Sequence, residues 1–167
     1  MQFRFLGFEI SVRRPALVTP PAPPVPPSLF YVRRGERRSL SELKEQAGGI
    51  ARLVEHLGGD HLRRWLGAAL GGLLPGKIAV LVGPPGCGKS TLINALRGMS
   101  HNLCLVDGGD FKRGGRSAVL CTANDASAVS EGALVFECLE PWCHAFDRSD
   151  TDAFVAWLMY GFGEVIG

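Results

Sequence analysis

The sequence predicts an α/β fold: a mainly parallel sheet packed between helices, with a helical lead-in before it. Three observations predict it. Short apolar runs recur along the second half, at 78–82, 103–106, 118–121 and 134–139, each closed by turn residues. Buried parallel strands read this way because both of their faces are covered. A glycine-rich loop, Gly83-Pro84-Pro85-Gly86-Cys87-Gly88-Lys89-Ser90, joins the first run to helix-compatible sequence. Before that run, leucines and alanines recur at helical spacing.

From the N-terminus, residues 3–12 partly alternate and are expected to form one strand. Residues 15–27 hold seven of the eleven prolines. Proline fixes φ and lacks an N–H, so this stretch is expected to be an extended polyproline spacer, with an SH3-like ligand as the alternative. Ser39 and Glu42 make a capping box that opens a helix ending at Gly48-Gly49. A second helix is expected from Ile50 to Leu57. Asp60 is expected to cap a third, from His61 to about Leu73, with Leu62, Leu66, Ala69, Leu70 and Leu73 on one face. Lys77–Val82 is the first core strand, and Ser90–Arg97 the helix behind the glycine loop. Three more strands follow, and Asp150 is expected to cap a last helix from Thr151 to about Tyr160. The predicted organisation is a basic arm over 1–14, a proline-rich and basic linker over 15–38, a helical lead-in over 39–74 and a nucleotide-binding core over 75–167. That core reads as a P-loop NTPase-like three-layer α/β unit.

The glycine loop has the full G-x-x-x-x-G-K-[ST] pattern between a strand and a helix, which is the setting phosphate binding needs. Gly86 and Gly88 let successive N–H groups converge on one centre, and the helix dipole adds positive potential there. Gly83, Pro84, Pro85, Gly86, Cys87, Gly88, Lys89, Ser90 and Thr91 are the expected nucleotide-binding residues. Lys89 is expected on the β- and γ-phosphates, and Ser90 on Mg²⁺. Hydrolysis also needs a carboxylate for the metal and a group that positions the nucleophile. Asp107 follows four apolar residues, so it is expected at the sheet's ligand-binding edge as the second metal-holding residue. Asp110 is a further candidate. Asn124, at the end of another strand, is expected to sense the γ-phosphate or orient water. Arg113, Arg116 and Arg148 are candidates for a transition-state arginine, and Glu137 and Glu140 for a base.

The chain has 167 residues, is 46% hydrophobic and carries a net charge of +2. That is enough apolar sequence for one core and gives no global argument for a polyanion partner. Arg4, Arg13, Arg14, Arg33, Arg34, Arg37 and Arg38 concentrate basic charge before residue 39, where it would suit nucleic acid, an acidic partner or plain solvation. The five cysteines are odd in number, with no secretory signal before them and no run long enough to span a membrane. A reducing, cytoplasmic setting with free thiols is expected. Cys138, Cys143 and His144 match no paired zinc spacing.

Residues 60–98 resemble the entry to the ATPase domain of superfamily 3 helicases, in the phage and plasmid primase-helicase branch. A leucine- and glycine-rich helix end leads into the strand, and the loop is followed by Ser90-Thr91. Thr122-Ala123-Asn124 is similar to that family's motif C. The resemblance implies ATP-driven work on single-stranded DNA by a ring-shaped homo-oligomer. It assigns Lys89 with Ser90 or Thr91 to phosphate and Mg²⁺, Asp107 to Walker B and Asn124 to motif C. Lys89 to Asp107 and Lys89 to Asn124 are shorter intervals than that family usually has. Leu105-Val106-Asp107-Gly108-Gly109-Asp110, followed by Phe111-Lys112-Arg113, is also similar to adenylyl-sulfate kinase, which implies a small-molecule kinase. A non-catalytic nucleotide-binding module is the third alternative. Phe5–Ser11 is similar to the starts of some phage portal proteins.

Overall fold

The computed structural model describes residues 2–5, 8–11, 38–108, 115–129, 131–144 and 150–160, with backbone alone for the first two segments and for residue 128. The proline-rich run over 15–27 lies outside the described residues. The N-terminal alternation forms two strands and not one: β1 (Gln2–Phe5) pairs antiparallel with β2 (Phe8–Ser11), Phe5 opposite Phe8. In the sequence, the alternating stretches Phe3-Arg4-Phe5 and Phe8-Glu9-Ile10 are separated by Leu6-Gly7, which breaks the pattern into two short strands.

α1 (Leu40–Ala47) opens on the expected capping box. The Glu42 N–H donates to Ser39 Oγ at 3.2 Å, and the Ser39 N–H donates to Glu42 Oε2 at 2.6 Å. That backbone donor holds the Glu42 carboxyl below its ordinary range. The helix stops at Gly48 as expected, whose N–H reaches the Lys44 and Glu45 carbonyls.

α2 (Gly49–Leu70) joins two stretches expected to be separate helices. The break is at Gly59, where φ is +61° and ψ −148°. Glycine takes that backbone conformation without a Cβ penalty, so the chain resumes the helix after one residue. The Asp60 carboxylate engages Arg63 Nε at 2.7 Å and Arg64 Nε at 2.6 Å, pairing along the helix where capping was expected. The helix ends at Leu70, earlier than Leu73, because Gly72 turns to φ +74° and the Gly72 and Leu73 N–H groups close back on Ala69 O at 3.0 Å and Ala68 O at 2.9 Å.

The sheet holds β3 (Ile78–Val82), β4 (Leu103–Val106), β5 (Ala118–Ala123) and β6 (Leu134–Glu137) in the order β4-β5-β3-β6, all parallel. The α/β class with a parallel sheet of four strands is as predicted. α3 (Lys89–Leu96) follows the glycine loop, and α4 (Thr151–Met159) is capped by Asp150, which accepts from the Asp152 and Ala153 N–H groups. Alternate residues of the strands point to opposite sides. Ala79, Leu81, Leu120 and Phe136 join one large cluster with residues of α1, α2, α3 and α4. Ile78, Val80, Val82, Val119 and Cys121 form a smaller cluster on the other side, with Val106, Ala123, Val129 and Ala133 against it. The C-terminal ends of β3, β4 and β5 therefore open at one edge, where ligands bind in sheets of this kind.

Candidate nucleotide-binding site

β3 delivers the chain into the glycine loop at Gly83. A Cβ at Gly83 would lie 2.1 Å from the Cys138 carbonyl oxygen, so only glycine fits where the loop crosses the exit of β6. Gly88 has φ +96°, and a Cβ there would meet Leu53 at 2.7 Å and Trp142 at 3.3 Å. That turn lets α3 start at Lys89, with its free N–H groups and positive dipole end facing the loop.

Lys89 is buried, and its ammonium lies back on the loop. It donates to Gly83 O at 2.5 Å and Pro84 O at 3.0 Å, with Cys87 Sγ at 3.6 Å. Three donors thus meet three acceptors, and the sulfur is the weakest of these. Beside it, Ser90 Oγ donates to Asp107 Oδ1 at 2.9 Å. Thr122 Oγ1 donates to the same carboxylate oxygen at 2.9 Å and accepts the Gly108 N–H at 2.8 Å. Asp107 thus stands one residue past β4, held from β5 on one side and met by α3 on the other.

These groups line one cavity of about 590 Å³, together with Pro85, Gly86, Gly88, Thr91, Asn124 and Trp142. The expected site residues Lys89, Ser90, Thr91, Asp107 and Asn124 therefore converge. Gly83, Pro84 and Cys87 lie behind the lining and shape the loop. Ser90 and Asp107 offer hard oxygen donors side by side, a set that suits Mg²⁺. Asp110, Arg113 and Arg148 lie outside the described residues. Arg116 is exposed and does not line the cavity, and Glu137 lines a different, more apolar one beside α2. Glu140 uses its main chain: its carbonyl oxygen lies 3.1 Å from His56 Nε2. Cys138 turns its thiol to His56 Nε2 at 3.2 Å, and burial pushes that thiol's pKa up. Cys143 sits by the Pro141 carbonyl.

Three lining residues, Gly108, Thr122 and Trp142, were given no site role by the sequence reasoning. By sequence, Thr122 belongs with the turn residues that close the 118–121 run, but β5 runs on to Ala123, and the role of Thr122 appears only once β5 lies beside β4. Trp142 follows β6, far along the chain from the loop, yet its N–H donates to Gly86 O at 3.0 Å. Its aromatic character was the one signal available.

Comparison with known proteins bears on the same segment. A family model described as ABC transporter matches residues 71–133. The ribose import ATP-binding protein RbsA of Roseobacter denitrificans is 40% identical over 62 residues, 37% of this chain and 11% of that protein. The taurine import ATP-binding protein TauB of Chromobacterium violaceum is 37% identical over 76 residues, 44% of this chain and 25% of that protein. Residues 71–133 thus form a segment of the ATP-binding, P-loop NTPase type. The matches span a small part of either relative's length. Neither protein is a superfamily 3 helicase or an adenylyl-sulfate kinase, so those finer likenesses gain nothing from them. No solved structure matches the chain significantly. Among the described residues no helix is long and apolar enough to cross a membrane.

Proposed function

We propose that this chain is an Mg²⁺-dependent ATPase domain of the kind found in ABC transporters, with its hydrolytic centre at Lys89, Ser90, Asp107 and Asn124. The observation that carries this is the meeting of the Ser90 hydroxyl and the Asp107 carboxylate at 2.9 Å beside the glycine loop. Chemistry at a γ-phosphate depends on positioning and charge neutralisation more than on covalent help. Lys89 supplies a positive charge at the loop; giving up its sulfur contact for a phosphate oxygen costs it least. The N–H groups at the start of α3 receive phosphate oxygens. Ser90 and Asp107 would hold Mg²⁺, and the ion would supply positive charge against that building on the phosphate oxygens. Asn124 has the reach of the same cavity and orients the attacking water. The match over residues 71–133 supports this reading above single-stranded DNA translocation by a ring or transfer to a small acceptor.

Steady-state ATP hydrolysis by the purified chain, with and without single-stranded DNA, tests it. Turnover is expected with Mg²⁺, indifferent to DNA, and absent in Lys89→Ala, which also loses ATP binding. Turnover that climbs with DNA would restore the helicase reading. Unchanged ATP affinity in Lys89→Ala would remove the site assignment altogether.

A further inference from the structure

The phosphate-handling groups occupy one part of the cavity; the rest of its lining has no assigned partner. Trp142 is the one aromatic ring among the lining residues. Its main-chain N–H is bonded to Gly86 O, and its side chain lies against Gly88, so the ring's place is tied to the loop itself. His56 flanks it at 5.2 Å with an interplanar angle of 58°, and His144 at 5.1 Å with 71°. Both contacts are tilted or edge-on, and neither ring stacks parallel on the indole. Its Nε1–H is buried with no acceptor among the described residues. A buried indole donor normally finds a partner. The Nε1–H faces the protein and not the cavity, so what Trp142 offers a ligand is apolar ring surface beside a phosphate site, the kind of surface a nucleobase packs against.

Resting on the nucleotide reading above, we propose that Trp142 is the nucleoside-binding residue of this site, its indole packing against the base while the loop holds the phosphates. His56 and His144 fix the ring's plane and act as positioning residues. A tryptophan with a purely structural role would also pack on Gly88, so the test separates base from phosphate.

The experiment compares binding of Mg·ATP and of Mg·tripolyphosphate, which carries the phosphate chain and no nucleoside, by calorimetry on the full chain. Trp142→Ala is expected to weaken ATP about tenfold or more and to leave tripolyphosphate within about twofold. Trp142→Leu keeps apolar bulk over Gly88 and is expected to show the same split, which covers the case in which the alanine variant does not fold. Equal loss of both ligands would mean that Trp142 only props the loop, and loss of neither would mean that it is not at the ligand; either overturns the assignment. Wild-type protein that binds neither ligand would overturn the nucleotide reading itself, and this assignment with it.

Discussion

Asp107 shows how far single residues were legible. Four apolar residues running into a carboxylate place it at a strand's end, and there it stands. What holds it could not be read. Thr122 is fifteen positions further on, and the two meet because Val106 lies opposite Cys121 in the parallel register, which sets the next residues side by side. That register is a property of the sheet and not of either segment. Thr122 is 7% exposed and performs two tasks, donating to Asp107 and accepting from Gly108 N–H. Thr122→Val keeps the shape and removes both. We expect Mg²⁺-dependent ATP turnover to fall roughly 10–100-fold, as when a metal-holding group loses its support. Stability should fall by about 1–2 kcal/mol from the unpaired Gly108 N–H. Thr122→Ser should restore both, and a Mg²⁺ titration of turnover in the three proteins checks it.

At the scale of elements, caps were the legible part. Ser39 with Glu42 and Asp150 behave as their chemistry dictates, because capping is settled within three residues. The Gly58-Gly59 pair misled for the opposite reason. A glycine can end a helix or let one resume after a single positive-φ residue, and packing decides which. A Cβ at Gly58 would fall 2.8 Å from Phe136 Cδ1, so α2 passes too close to β6 here to admit any side chain. Just beyond, Asp60 and Arg63 tie the second half of α2 to α4. Arg63 is buried, and its Nη1 reaches the Trp157 carbonyl at 3.1 Å and the Tyr160 carbonyl at 3.3 Å. The hydrogen bond from Arg63, helped by the nearby guanidinium charges, holds the Asp60 carboxyl below its ordinary pKa. A lowered carboxylate contributes stability that is complete above its unfolded pKa and is lost as the pH falls through the folded value. Asp60→Asn should therefore destabilise the protein at pH 7, by no more than about 1 kcal/mol because the carboxylate is half exposed. The difference from wild type should close as the pH drops below about 4. Chemical unfolding of both proteins at pH 7 and pH 3 measures it, and an equal gap at both would show that the pair contributes nothing.

For the molecule as a whole, the sheet order was the hidden quantity. Sequence gives four apolar runs but not which lies beside which, and the order β4-β5-β3-β6 brings Asp107, Thr122, Asn124 and the glycine loop to one edge. The same assembly links segments that composition alone separates. Leu43 and Ala47 of α1, Leu53 and Leu57 of α2, Leu92 of α3 and Phe154 of α4 belong to one cluster with Leu81 and Leu120 of the sheet. Leu53 even abuts the space beside Gly88, so the helical lead-in backs the phosphate loop directly. Among the described residues this cluster begins at Leu43. The proline-rich stretch lies outside the described residues and is expected to be an extended spacer, since proline fixes φ and removes N–H donors. Removing residues 1–28 should therefore shift the thermal midpoint by less than about 3 °C, under about 1 kcal/mol for a chain of this size, and leave ATP affinity unchanged. Removing residues 1–57 takes away α1 and the first half of α2 and should abolish both the cooperative transition and binding. Thermal melts by circular dichroism with parallel ATP titrations separate the two cases. A drop of many degrees on removing 1–28 alone would mean that the N-terminal segment contributes to the core, and the site would then depend on sequence well upstream of the loop.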